Sequence, residues 1–291
     1  MKFYFVSVYW PQTIDLLAKE KCNLLISYLA IKTKKIEKTK LATYPCDIFL
    51  DCGAFTAWAQ GEKIDFSEYL KFVIKYQEYF EKIASLDVQP TGLKEEDFQK
   101  SAEESFKNYE TMKNYVPLSK LVPTFHFGEQ LTYLERYVKD KIEVIALGGI
   151  AGPKRDLTQF RRRRLDLPWL AKVFQTYPKQ KFHGFGLFTK DILMNFPFYS
   201  IDSSYWTTTY RFGGLLKYDE KKKFFVGHSY RKRKGWEEIL KRGPVYGSFE
   251  DIIDPKRNRI SQTRERLAIR ETKKYIDFIT KLWETRGIVW T

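Results

Sequence analysis

Three aspartates stand where a folded chain rarely places unpaired charge. Asp202 is the one carboxylate in the aromatic and hydroxylic run FYSIDSSYW (198–206). Asp51 ends the apolar run DIFLDC (47–52), directly before a Cys-Gly turn, and Asp87 sits in SLDV (85–88). A core strand gains nothing from ending in a lone carboxylate, because burying that charge without a partner is costly. Paired carboxylates suit substitution at an anomeric carbon: one attacks or stabilises the oxocarbenium-like centre and another moves protons. The plainer readings are an N-cap for Asp51 and a turn former for Asp202, both common roles for Asp.

Other chemistry-bearing residues are few. The chain has three histidines. His126 in PTFHFGE and His183 in FHGFGL each read either as core histidines or as functional groups; His126, at an expected strand end, is the better functional candidate. ALGGIAG (146–152) could hold phosphate through backbone N–H groups. Its simpler use is close approach of Gly148 and Gly149 to a flat ligand, with no Cβ in the way. Cys52 beside Asp51 lacks a neighbouring His to activate it. The His and acid positions have no recognisable metal spacing, so neither metal nor cofactor is expected.

The elements that must position these residues alternate. Apolar runs at 2–8, 47–52, 83–88, 121–127, 144–149, 181–187, 198–203 and 224–227 read as strands, several ending in Gly or a polar residue as buried parallel strands do. Helical spacing marks 13–32, 66–82, 95–115, 129–140, 167–177 and 263–286. About eight strands alternating with helices predict a single α/β domain over 1–291, a (β/α)8 TIM barrel with an irregular basic insertion around 205–260 and a C-terminal helix. A doubly wound open sheet is the alternative. In a barrel, Asp51, Asp87, His126, Gly148, Gly149 and Asp202 fall at the C-terminal strand ends, where active sites form.

The formal charge of +15 points to a polyanionic partner. It is clustered in FRRRRLD, carrying Arg161, Arg162, Arg163 and Arg164, and in SYRKRKGW, carrying Arg231, Lys232, Arg233 and Lys234. Phosphate contacts from these runs would give salt-dependent affinity, and the interleaved aromatics could stack on unpaired bases. A solvated basic surface is the bland alternative. No run of about 18 apolar residues exists to cross a membrane. The first residues read as a strand, not a signal peptide, and three cysteines without CxxC spacing suggest a reducing, cytoplasmic setting. No partner protein is indicated by the sequence.

The ordered series LDCGAF, SLDV, VPTFHFGE, ALGGIAG, HGFG and SIDSSYW, spanning about 47–206, resembles the tRNA-guanine transglycosylase superfamily. Those enzymes are (β/α)8 barrels that exchange guanine for a 7-deazaguanine without cutting the backbone. The resemblance implies Asp202 as nucleophile, Asp51 as general acid/base, Asp87 as reader of the base, and Gly148 and Gly149 as a turn whose backbone reads the heterocycle; an aromatic such as Phe55 could stack on the base. His126 stands where the family carries Gln. No cysteine follows Cys52, so the family's C-terminal zinc site is absent, and the chain is shorter than the tRNA enzymes. It looks closer to the zinc-free branch acting on phage or bacterial DNA, with tRNA as the other substrate and a free 7-deazaguanine base as partner. A base glycosidase or nucleoside hydrolase, and a nucleic-acid-binding barrel without catalysis, are the alternatives.

Overall fold

The computed structural model describes residues 1–6, 11–33, 36, 38–92, 94–150, 166–207, 214–229 and 262–290. Apolar strands β1 (Lys2–Val6), β2 (Asn23–Ser27), β3 (Ile48–Asp51), β4 (Lys82–Ala84), β5 (Leu121–Val122), β6 (Thr124–His126), β7 (Val144–Gly148), β8 (Lys181–Gly184) and β9 (Ser200–Ser203) are paired in parallel in the order β5-β4-β3-β2-β1-β9-β8-β7-β6. Only Pro123 separates β5 from β6. Proline has no N–H to give a ladder, so the strand is interrupted there, yet the Pro123 carbonyl still accepts from the Ala146 N–H at 2.8 Å. One half of this strand pairs with β4 and the other with β7. The ring therefore closes: eight parallel strands form a (β/α)8 barrel, and the open-sheet alternative falls.

Helices α1 (Pro11–Lys19), α2 (Tyr28–Thr33), α3 (Lys38–Leu41), α4 (Ala54–Ala59), α5 (Phe66–Tyr76), α6 (Glu95–Met112), α7 (Leu131–Lys139), α8 (Asp166–Thr176) and α9 (Lys190–Asn195) lie in the connections. Helix α5 starts where the Asp65 side chain accepts from the Glu68 N–H at 2.8 Å, the usual Asp cap of otherwise unpaired N–H groups. The last helix, α10 (Gln262–Thr285), packs against α1 and α9. It is pinned there by Trp283 Nε1 donating to the Leu193 carbonyl at 2.9 Å and by Thr13 Oγ1 donating to Glu265 at 2.8 Å.

Two expectations need correction. Residues 13–32 are not one helix. The chain leaves α1 through Lys21, held at φ 52°, with the Cys22 N–H returning to the Leu17 carbonyl at 2.9 Å, a left-handed helix exit; Asn23–Ser27 then forms the second barrel strand. Conversely, 224–227 is not a barrel strand. It belongs to β11 (Phe224–Ser229), antiparallel to β10 (Gly214–Asp219) in a separate two-stranded sheet. Among the described residues no helix is long and apolar enough to cross a membrane.

Candidate active site

Because all barrel strands run the same way, their C-terminal ends share one face. Asp51 is the last residue of β3, His126 the last of β6, Gly148 the last of β7, and Asp202 lies at the end of β9; Asp87 follows β4 by three residues. The sequence candidates Asp51, Asp87, His126, Gly148 and Asp202 thus meet at one mouth.

Asp51 is not the cap of α4; that place belongs to Gly53, whose N–H reaches back to Asp51 Oδ2 at 3.1 Å. Gly53 adopts φ +84°, and a Cβ there would lie 2.6 Å from Ser27 Oγ and 2.9 Å from Leu29 Cβ, which is why the turn after the acid uses glycine. Burial raises the Asp51 carboxyl to about 7, with the charges of Asp87 and Asp202 adding to the rise. Asp51 therefore feels the charge of both neighbouring acids across the mouth and is poised to carry a proton near neutrality.

Asp87 and His126 form a charged clamp. His126 Nε2 lies 2.9 Å from Asp87 Oδ2, and Nδ1 lies 3.1 Å from Glu129 Oε1. The second Glu129 oxygen accepts the His126 backbone N–H at 3.0 Å. Although burial opposes the charge, the two carboxylates push the imidazole up to about 10, so it is an imidazolium donating from both nitrogens. Burial would raise Asp87, but the His126 contact outweighs it and holds the acid below its usual range. Cys52 Sγ donates to Asp87 Oδ1 at 2.9 Å and Gln89 Nε2 to Oδ2 at 2.6 Å. Buried beside these acids, the Cys52 thiol is pushed well above its ordinary value, the opposite of an activated nucleophile. Gly148 makes room for the clamp: a Cβ there would come within 2.5 Å of His126 Cδ2.

Asp202 is not a turn former. Its Oδ1 accepts from His183 Nε2 at 3.1 Å and from the Gly186 N–H at 2.9 Å. Oδ2 takes no hydrogen bond from the described residues. Gly149, directly after β7, adopts φ +76°, and α4, which follows β3, carries the exposed rings Phe55 and Trp58. Phe55 is 45% exposed with its ring centre 6.0 Å from that of Trp58.

Three participants escaped the sequence candidates: Glu129, Gln89 and the Asp202 contact of His183. Glu129 and Gln89 lie three and two residues beyond His126 and Asp87, so a turn after each strand could have suggested them. Arg161–Arg164 and Arg231–Lys234 lie outside the described residues, as does most of 205–260. Among the described residues no group of three or more His, Cys, Asp or Glu is arranged to hold a metal ion.

No family model and no curated protein matches the chain. Solved structures do. An AP endonuclease of family 2 from Brucella melitensis is similar over 63% of this chain and 91% of its own, at 10% identity and a TM-score of 0.37. N-acetylneuraminate lyase from Fusobacterium nucleatum, complexed with pyruvate, is similar over 91% of this chain and 89% of its own, at 11% identity and a TM-score of 0.43.

Proposed function

We propose that the chain is an enzyme, a pentosyltransferase that exchanges guanine in nucleic acid for a free 7-deazaguanine, with DNA favoured over tRNA. One observation carries the reading: the two acids at the mouth are held in different ways. Asp51 is lifted to about 7, while Asp202 accepts two N–H groups on a single oxygen. Carboxyl groups whose surroundings separate their roles are the mark of an acid/base working beside a nucleophile.

In this reading Asp202 Oδ2 attacks C1′ of the target nucleotide. The C1′–N9 bond breaks, its electron pair leaves with guanine, and Asp51 supplies a proton to the departing base. A 7-deazaguanine then enters, gives its N9 proton to Asp51, and N9 displaces Asp202 from C1′. Two substitutions retain configuration and divide one hard step into two easier ones. Asp87, held ionised by His126, accepts from the N–H groups of the guanine edge, and the Gly148–Gly149 backbone flanks the ring. Phe55 stacks on the base. The target base must leave the duplex or come from a single strand, and the +15 chain supplies phosphate affinity that offsets the cost.

Incubation of the protein with radiolabelled guanine and, separately, single-stranded DNA, duplex DNA and tRNA tests this. Label entering one polymer, and none with Asp202→Ala, is the expected result. Abasic sites without label would establish a glycosidase instead, and tight binding without either product would leave a binding protein.

A further inference from the structure

The fully buried His183 is the feature of the mouth that the exchange mechanism leaves unused. Its ring is packed between Phe49, at 4.9 Å between ring centres, and Phe185, at 4.7 Å, with Tyr4 edge-on at 5.9 Å. Its two nitrogens have one described partner each: Ser200 Oγ lies 2.9 Å from Nδ1, and Asp202 Oδ1 lies 3.1 Å from Nε2. A carboxylate only accepts, so Nε2 must donate; the Ser200 hydroxyl then donates to Nδ1 and fixes that tautomer. A Ser–His–Asp series of this kind suggests a serine nucleophile. Ser200, however, is 2% exposed and lies among the barrel's inner side chains, beyond the reach of a substrate.

We propose that His183 is a positioning residue which, with the Gly186 N–H, divides the Asp202 carboxylate into a held oxygen and a reacting oxygen and stabilises it as the leaving group of the second displacement. The inference rests on the transglycosylase reading above. When Asp202 is esterified through Oδ2, Oδ1 becomes the ester carbonyl oxygen. As N9 of the incoming base forms its bond to C1′, the C1′–Oδ2 bond breaks and its electron pair returns to the carboxylate, spread over both oxygens. Donors already aimed at Oδ1 favour that charge, as preorganised donors do for any developing oxyanion. They stabilise the free carboxylate more than the ester, so they also set how much enzyme rests as the covalent adduct. Phe49, Phe185 and Tyr4 keep water from competing for the Nε2 donor.

The test measures the fraction of enzyme covalently linked to DNA, or to tRNA if that is the substrate labelled above, after denaturing quench and without free base. In His183→Leu the adduct-to-free ratio is expected to rise roughly tenfold to a hundredfold, the range for losing one hydrogen bond to a charged group. His183→Gln, which keeps an N–H at the Nε2 position, is expected to return the ratio toward wild type. A merely structural role would lower adduct and turnover together, and an unchanged or lowered ratio in a folded His183→Leu protein would overturn the proposal. Should His183→Leu fail to fold, Ser200→Ala, which releases the tautomer, is expected to raise the ratio several-fold; an unchanged ratio there overturns it equally. Failure of the wild-type protein to exchange labelled guanine would remove the transglycosylase reading itself, and this inference with it.

Discussion

His126 Nε2 and Asp87 Oδ2 are 2.9 Å apart, and this contact determines which groups at the barrel mouth are charged. The imidazolium keeps Asp87 ionised. The ionised Asp87 in turn helps hold Asp51 protonated. In the proposed exchange, one ion pair thereby gives one acid to recognition and leaves another available for proton transfer.

Activity should fall as Asp51 loses its proton. In the proposed exchange the first displacement needs the protonated acid, so kcat/KM for nucleic acid is expected to decline as pH rises through about 7. Asp51→Asn should remove that limb along with most of the turnover, by roughly a hundredfold or more. A pH–rate profile that keeps the same limb in the variant would assign it to another group.

Asp51 also affects stability. Its folded value lies above the ordinary 3.8, so the folded state holds the proton more tightly, and stability is lost as pH rises from about 4 through about 7. Asp51→Asn, which carries no charge to bury, is expected to raise Tm above about pH 7 and to change it little below about pH 4. Thermal melts across that range decide the matter.

The clamp has the opposite pattern at its two ends. Asp87, lowered from 3.8, contributes stability that is complete above that pH and lost as pH falls. His126, raised from 6.5 to about 10, contributes stability that is complete below 6.5 and lost as pH climbs through about 10. His126→Leu strands Glu129 in the interior and should cost about 3–5 kcal/mol. Its penalty in Tm is expected to be greatest between about pH 4 and 6.5 and to shrink toward pH 10.

Cys52 donates to Asp87, and its raised thiol is not that of an activated nucleophile. Cys52→Ser preserves a donor at that place, so turnover should stay within a few-fold of wild type, whereas Cys52→Ala should weaken binding of the free base. A Cys52→Ser protein without activity would return the thiol to consideration as a nucleophile.

Neutralising Arg161–Arg164 should weaken nucleic-acid binding across all sequences and flatten its dependence on salt, by about one unit of slope for each phosphate that no longer meets an arginine. Affinity for the free base should be unaffected. Titrations at several salt concentrations separate this outcome from a run that merely solvates the surface.

Much of the mouth was legible in the sequence because apolar runs ending in a polar residue or glycine are unusual: Asp51, Asp202, His126 and Gly148 all sit at the strand ends where that pattern placed them. The second strand was hidden. Asn23–Ser27 continues the apolar spacing of the preceding helix, and a short buried strand has no period of its own to separate it from a helix. The break falls at Lys21, in a left-handed conformation usually signalled by glycine. The final predicted strand erred in the other direction, since Phe-Phe-Val serves a hairpin as well as a barrel. His183 and Asp202 are 19 residues apart. Only the pairing of His183 with Ser200 reveals that Asp202, two residues on, faces the same side.

The pairing of β1 with β9 joins residues 2–5 to residues 200–203. On a ribosome, Asp51, Asp87 and His126 emerge well before Asp202. Until β9 docks beside β1, the growing chain carries the acids of β3 and of the turn after β4 without the Asp202 that the proposed exchange requires. Under the proposed exchange, ring closure is thus also the moment of activation, and a chain ending short of residue 200 lacks the carboxylate that would bond to sugar.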